Sequence, residues 1–150
     1  MQHATQLYSK RFDEWNARQK IIDATPFAAF PHSREIWWCA LGVNIGSEQD
    51  GKNELFERPV LILGWMRKNL VLTVPITSKI AEHTDRINIR IDGQDYQILL
   101  SQLRAISTKR LIRKTGYVKI VIFQHIIMQL VRTLLNMNET PPFGGESRNP

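Results

Sequence analysis

Arg58 stands directly before Pro59 and the aliphatic run "VLIL", behind a polar stretch, "NIGSEQDGKNELFE", that carries Ser47, Glu48 and Gln49. A guanidinium is permanently charged and presents a planar fork of donors that suits a phosphate. Further along, "VPITS" ends in Thr77 and Ser78, whose hydroxyls can donate to the same kind of group. If the strand that opens at Arg58 pairs with the strand that closes at Thr77, all three side chains border one loop. Two readings of Arg58 follow. It is either half of a strand-start ion pair with Glu57 or Glu54, or the wall of an anion pocket behind a mobile loop. Thr77 is equally an ordinary strand threonine, and Glu48 is either a general base or a solvated loop carboxylate.

Other chemistries lack their residues. The single cysteine, Cys39, precludes an internal disulfide, and His3, His32, His83 and His125 are too scattered for a zinc site. No glycine-rich phosphate loop and no Ser/His/Asp order stands out, so neither a metal nor an organic cofactor is expected. The net charge of +6 is unevenly placed. No acidic residue lies between Tyr96 and Asn138, a window that holds Arg104, Lys109, Arg110, Arg113, Lys114, Lys119 and Arg132. Such a one-signed region is either a solvated basic face or a field that attracts polyanions, nucleic acid first among them. No apolar run reaches about 18 residues and no signal-peptide core opens the chain, so the expectation is a cytoplasmic protein without membrane contact.

The elements that must position these residues can be read from their patterning. Residues 4–24 read as a helix with Tyr8, Phe12, Trp15 and Ile22 on one face, closed by Pro26. With its linker it forms an appendage over residues 1–33, docked by that aromatic stripe. Strands follow at "EIWWCALG", "RPVLILGW", "LVLTVPITS", "RINIRI", "YQILL" and "LRAIS". "DGQD" makes a hairpin turn, Gly46 and Gly51 give freedom to loop 43–57, and "TKRLIRKTG" reads as a basic connector. A helix carries Phe123, Ile126, Ile127, Leu130, Val131, Leu134 and Leu135 at three-four spacing. The Pro/Gly-rich residues 138–150 read as a disordered tail. Residues 34–137 thus read as an α+β domain, a small antiparallel barrel with a C-terminal helix.

"REIWWCALGVNIGSEQDG", "RPVLIL", "VPITS", "LSQLRAIS" and "GYVK", in this order over residues 34–135, resemble the MazF/PemK toxins of bacterial type II toxin–antitoxin modules. The resemblance implies an SH3-like barrel of the CcdB/MazF type and a homodimer. It further implies a metal-independent endoribonuclease acting on single-stranded mRNA, and a MazE-like antitoxin that blocks the RNA groove. Arg58 matches the family's catalytic arginine before proline, and Thr77 its catalytic threonine. Ser47, Glu48 and Gln49 match the loop beside the cleavage site, and Gln102 the glutamine of a later strand motif. Glu48 is then a third catalytic candidate. Ser47, Gln49, Ser78, Gln102, Arg104, Lys109, Arg110, Arg113 and Lys114 are candidates for RNA binding.

The chain departs from the family pattern at two motif positions. Ser101 stands where many members have aspartate, and Leu99 where some have arginine. The loop before Arg58 is also longer than in compact members, and the N-terminal helix is additional. Two further readings therefore stand beside the nuclease. One is a poison of DNA gyrase built on the same barrel; the other is a catalytically silent RNA-binding module.

Overall fold

The computed structural model describes residues 10–26 and 29–137. Tyr8 and the tail from 138 onward lie outside the described residues. Seven strands form one antiparallel sheet: β1 (Glu35–Ala40), β2 (Glu57–Arg67), β3 (Leu70–Thr77), β4 (Arg86–Ile91), β5 (Gln94–Leu99), β6 (Arg104–Ser107) and β7 (Leu111–Tyr117). Helix α1 (Phe12–Ala24) precedes them and α2 (Ile120–Leu135) follows. The expected α+β class holds, with one correction: the strands run β4-β5-β3-β2-β1-β7 as an open sheet, and no ladder joins β4 to β7. β3 is the fork. Its first half pairs with β6 and its second half with β5, while β2 runs along its other edge.

A second correction concerns the basic connector. Leu111–Tyr117 is an edge strand on β1, with Leu111 buried and its charged residues turned outward. Lysine and arginine on an exposed edge discourage pairing with other chains. Local chemistry accounts for the turns. Asp92 and Gly93 both take left-handed backbone, φ 49° and 79°, as a two-residue hairpin requires. Asn69 does the same between β2 and β3, at φ 60°.

The strands are buried on both faces near their centre. Leu61, Val74, Ile76 and Ile98 pack with Ile36 beneath Ile126 and Leu130 of α2. Val60, Ile62, Val71 and Ile106 turn the other way, against Cys39, Leu41 and Leu111. α2 spends only part of its apolar face on this core, since Val131, Leu134 and Leu135 remain exposed. No helix among the described residues is long and apolar enough to cross a membrane.

Of the two described aromatics in the stripe expected for α1, one is buried. Phe12 is 47% exposed, whereas Trp15 is 6% exposed and packs on Gly42 and Phe56. Gly42 has φ 90°, and any Cβ there would enter the Trp15 ring. The loop from Leu41 to Phe56 is tightly bonded rather than open. Gly51 N–H donates to Gly42 O at 2.8 Å, and Lys52 and Glu57 exchange backbone bonds at 2.8 and 2.9 Å. Gly51 is there because the Phe56 carbonyl occupies the place of a Cβ.

Replacing a fully buried branched residue by alanine typically costs about 2–5 kcal/mol. Ile126→Ala, at a position with 0% exposure, is therefore expected to lower stability by that amount in urea denaturation. Gln124→Ala, at an exposed polar position of the same helix, should change it by less than about 0.5 kcal/mol. Equal effects at the two positions would disprove the placement of α2.

Candidate functional site

β2 brings Arg58 to the end of the sheet as its second residue, opposite Cys39 of β1. The β2–β3 ladder runs to Val60↔Pro75, and the same register continued sets Arg58 against Thr77. Arg58 is 7% exposed. Its Nε donates to Asp50 O at 2.6 Å and Nη1 reaches Ile76 O at 3.5 Å. With its amide oriented to match donors to acceptors, Gln49 accepts from Arg58 Nε at 3.2 Å and Nη2 at 2.8 Å.

Neither acid offered by the sequence pairs with Arg58. Glu57 takes both guanidinium nitrogens of Arg113 at 2.9 and 3.1 Å, and Glu54 takes Arg11. Among the described residues Arg58 forms no ion pair, so the strand-start pairing is set aside. Burial pushes the Arg58 pKa below its ordinary value, and the charge of Asp50 opposes that push. A desolvated cation held by neutral oxygens gains strongly from an incoming anion.

Arg58 lines a cavity of about 590 Å³ with Ser78, Pro59, Trp38, Lys52 and Asn53, and with Asp92 and Tyr96 from the β4–β5 hairpin. Thr77 does not line it. Thr77 is 8% exposed, and its hydroxyl oxygen accepts from Lys79 N–H at 3.2 Å, which leaves the hydroxyl proton to donate. A second cavity, about 370 Å³, is lined by Glu48, Gln49, Ser101, Gln102 and Arg104. Gln102 staples the loop here: its Oε1 accepts from Gln49 N–H at 2.9 Å and its Nε2 donates to Ser47 O at 3.2 Å. Glu48 is exposed and accepts from Ile45 N–H at 3.0 Å, closing a turn. Gln49 joins the two cavities, backbone on Gln102 and amide on Arg58.

The basic window does not form one groove. Arg104 reaches Leu41 O at 3.4 Å and Asn44 Oδ1 at 3.5 Å beside the second cavity. Lys109 and Arg110 lie under α1, Lys109 on Asp23 O at 2.7 Å and Arg110 on Ala40 O at 3.1 Å, 5.5 Å over the Trp15 ring. Arg113 stacks 4.8 Å over Trp38, and Lys114 pairs with Glu35 at 3.3 Å. Cys39 is buried, and burial pushes its thiol up to about 12, so it is no nucleophile. Among the described residues no group of three His, Cys, Asp or Glu could hold a metal ion.

Sequence reasoning missed Trp38, Asp50 and Tyr96. Trp38 had a signal, an aromatic in the strand facing Arg58. Asp50 had none, because its backbone carbonyl is the group that meets the arginine.

Residues 32–134 match the family of PemK-like, MazF-like toxins of type II toxin–antitoxin systems. The chain belongs to this family. No curated protein matches it by sequence. Its fold is similar to that of MazF from Deinococcus radiodurans (TM-score 0.58, 19% identity, 74% of this chain and 99% of that one). It is also similar to an endoribonuclease from a mycobacterial species in complex with its cognate antitoxin (0.53, 15%, 72% and 98%). A MazE–MazF complex from D. radiodurans gives 0.54 at 16%, over 73% of this chain and 99% of that one. At such identities the likeness establishes the fold, and activity must be argued from the site.

The Glu57–Arg113 pair makes a pH prediction. Arg113 chiefly, and Asn53, hold the Glu57 carboxyl below its usual range against the opposing effect of burial. The stabilisation is fully present above the unfolded carboxylate's pKa, about 4.3, and is lost as pH falls through the lower folded value. Urea midpoints measured from pH 6 down to pH 3 should therefore fall more steeply for the parent than for Glu57→Gln. Parallel profiles would refute the pairing.

Proposed function

We propose that this chain is the toxin of a type II module and acts as a metal-independent endoribonuclease on single-stranded RNA. The observation that carries the reading is Arg58: a buried guanidinium, unpaired with any carboxylate among the described residues, on the wall of a cavity of about 590 Å³. A backbone phosphate is an anion that suits its geometry and charge. A gyrase poison, acting by protein contact, has no use for a desolvated cation there.

In the proposed reaction the RNA 2′-hydroxyl attacks the adjacent phosphorus and the bond to the 5′-oxygen breaks. The products are a 2′,3′-cyclic phosphate and a 5′-hydroxyl. Arg58 stabilises the charge that gathers on the phosphorane. Arg58 keeps its proton and donates a hydrogen bond to the leaving 5′-oxygen, which takes its proton from solvent. Thr77, opposite Arg58 in the continued register, donates its hydroxyl proton to a phosphate oxygen. Glu48 takes the 2′-proton once it releases Ile45 N–H, and its neighbour Gln49 aligns Arg58. The chemistry uses no metal.

Ser47, Gln49, Gln102 and Arg104 would guide the strand along the second cavity. Ser78, Arg113 and Lys114 lie toward the first cavity and the β7 edge. Lys109 and Arg110, bonded beneath α1, contribute least. Solved relatives held by antitoxins support an antitoxin partner for this chain. The apolar residues that α2 leaves exposed support a homodimer. Light scattering is expected to give twice the chain mass at micromolar concentration; a monomer alone would count against the dimer.

Arg58→Ala decides the assignment. Losing one transition-state donor typically costs about 10²–10³ in rate. Cleavage of a single-stranded RNA should fall by that factor while binding largely persists, circular dichroism stays that of the parent, and EDTA leaves parent activity unchanged. Primer extension on RNA from induced cells should show discrete ends. A folded Arg58→Ala protein that cuts at the parent rate would overturn the assignment. Intact RNA with broken DNA would restore the gyrase reading, and neither lesion the silent module.

A further inference from the structure

The family match begins at residue 32, and the D. radiodurans MazF of similar fold aligns over 99% of its own length with 74% of this chain. Helix α1 is therefore additional to the shared core. Lys10 and Arg11, which lead into α1, reach the loop that holds Arg58. Lys10 Nζ donates to Asn44 O at 2.7 Å and pairs with Asp50 Oδ2 at 3.0 Å. Arg11 pairs with Glu54 at 2.9 Å and lies 4.8 Å over the Phe56 ring. Trp15 lies against Phe56, ring centroids 5.5 Å apart, and covers Gly42. Gly42 and Phe56 are the two ends of the loop, joined by Gly42 N–H to Phe56 O at 3.1 Å.

These contacts fall on strained and functional backbone. Phe56 has φ 52°, a left-handed conformation that a bulky residue adopts only where its surroundings impose it. Asp50 is held twice, through Asn44 N–H on Oδ1 at 2.6 Å and Lys10 on Oδ2, and its carbonyl is the acceptor for Arg58 Nε. Two contacts, Lys10 to the Asp50 carboxylate and Arg58 Nε to Asp50 O, thus link the segment leading into α1 to the arginine.

We propose that α1 is a clamp that pre-orders loop 41–56 against Arg58, and that Lys10 and Trp15 are positioning residues for RNA cleavage. The role in cleavage rests on the endoribonuclease reading; the ordering of the loop does not. Without the clamp, the loop's ordering entropy is met at each turnover rather than once on folding. Small displacements of a catalytic group cost large factors in rate, up to about 10² for 1 Å. Binding along the rest of the surface is untouched, so the effect belongs in kcat rather than KM.

The test uses the full chain with Lys10→Met, which keeps the apolar stem, and with Trp15→Ala and Trp15→Phe. Three readouts are combined: kcat and KM on a single-stranded RNA, hydrogen exchange of the Asn44, Gly51 and Lys52 amides, and the same substitutions in an Arg58→Ala background. The expected result is a kcat lowered roughly tenfold by Lys10→Met and further by Trp15→Ala. KM should stay within about twofold, loop protection should fall, and Trp15→Phe should restore most of both. In the Arg58→Ala background Lys10→Met should lower the residual rate no further, because it acts through the arginine. An unchanged kcat, an equal fall in that background, or undiminished protection in Lys10→Met would each overturn the clamp. If Trp15→Ala does not fold, Lys10→Met carries the same decision. A parent that cuts no RNA removes the nuclease reading alone. The clamp is then decided by exchange: lower protection in Lys10→Met sustains it and unchanged protection removes it.

Discussion

A guanidinium cannot shed its charge at any working pH, so burying one constrains everything around it. Arg58 is buried at the end of β2 without a carboxylate partner among the described residues, and the molecule meets that demand with neutral oxygens. Asp50 O and the Gln49 amide come from the preceding loop, and Ile76 O from β3 at longer range. Each needs its own support. Gln102 staples the loop at Ser47 and Gln49; Gly42 and Gly51 let its backbone close on Phe56; α1 covers the closure with Trp15. The loop's tight bonding follows from the arginine it must solvate.

The fork at β3 sets the frame for this. β2 must lie beside β3 for Arg58 to stand opposite Thr77, while β5 must take the other edge of Thr77. β6 then takes the first half of that same edge and delivers Arg104 and, through the preceding turn, Gln102 to the loop. One strand thereby aligns residues from four separated parts of the chain. The open sheet between β4 and β7 leaves room for the cavity that Arg58 lines, bordered by the β4–β5 hairpin on one side and by Trp38, Thr115 and Gly116 on the other.

Much of this was legible in the sequence, where local pattern and tertiary role coincide. The aliphatic run after Arg58, the alternation of "RINIRI" and the Asp92–Gly93 turn each carry their own periodicity or turn chemistry. What failed did so where side-chain partners decide. β7 looked like a connector because its outward residues are charged, yet edge strands tolerate such residues and Leu111 alone marks the inner face. The one-signed window read as either a solvated face or a field for polyanions; Arg113 on Glu57, Lys109 on Asp23 and Arg110 on Ala40 show its charges committed to different surfaces. Phe12 sat on the correct helical face, but only Trp15 finds a glycine beneath it. Gly51 read as freedom and proved to be close packing.

The two departures from the family's pattern are unequal once placed in space. Ser101 does not empty its surroundings of negative charge, because its hydroxyl donates to the Asp85 carboxylate at the entrance to β4. A carboxylate therefore still stands beside Ser101 of the second cavity, carried by the turn before β4. Leu99 has no such replacement. It is 3% exposed in the core, and Arg86, its partner across the β4–β5 ladder, turns to Lys79 O and Gln97 instead. A mechanism needing an arginine from this strand has no donor at that point, whereas one centred on Arg58 loses nothing. The arginine's part in the proposed chemistry rests on the first cavity for that reason, while the second cavity orients the strand, holds the loop and carries Glu48.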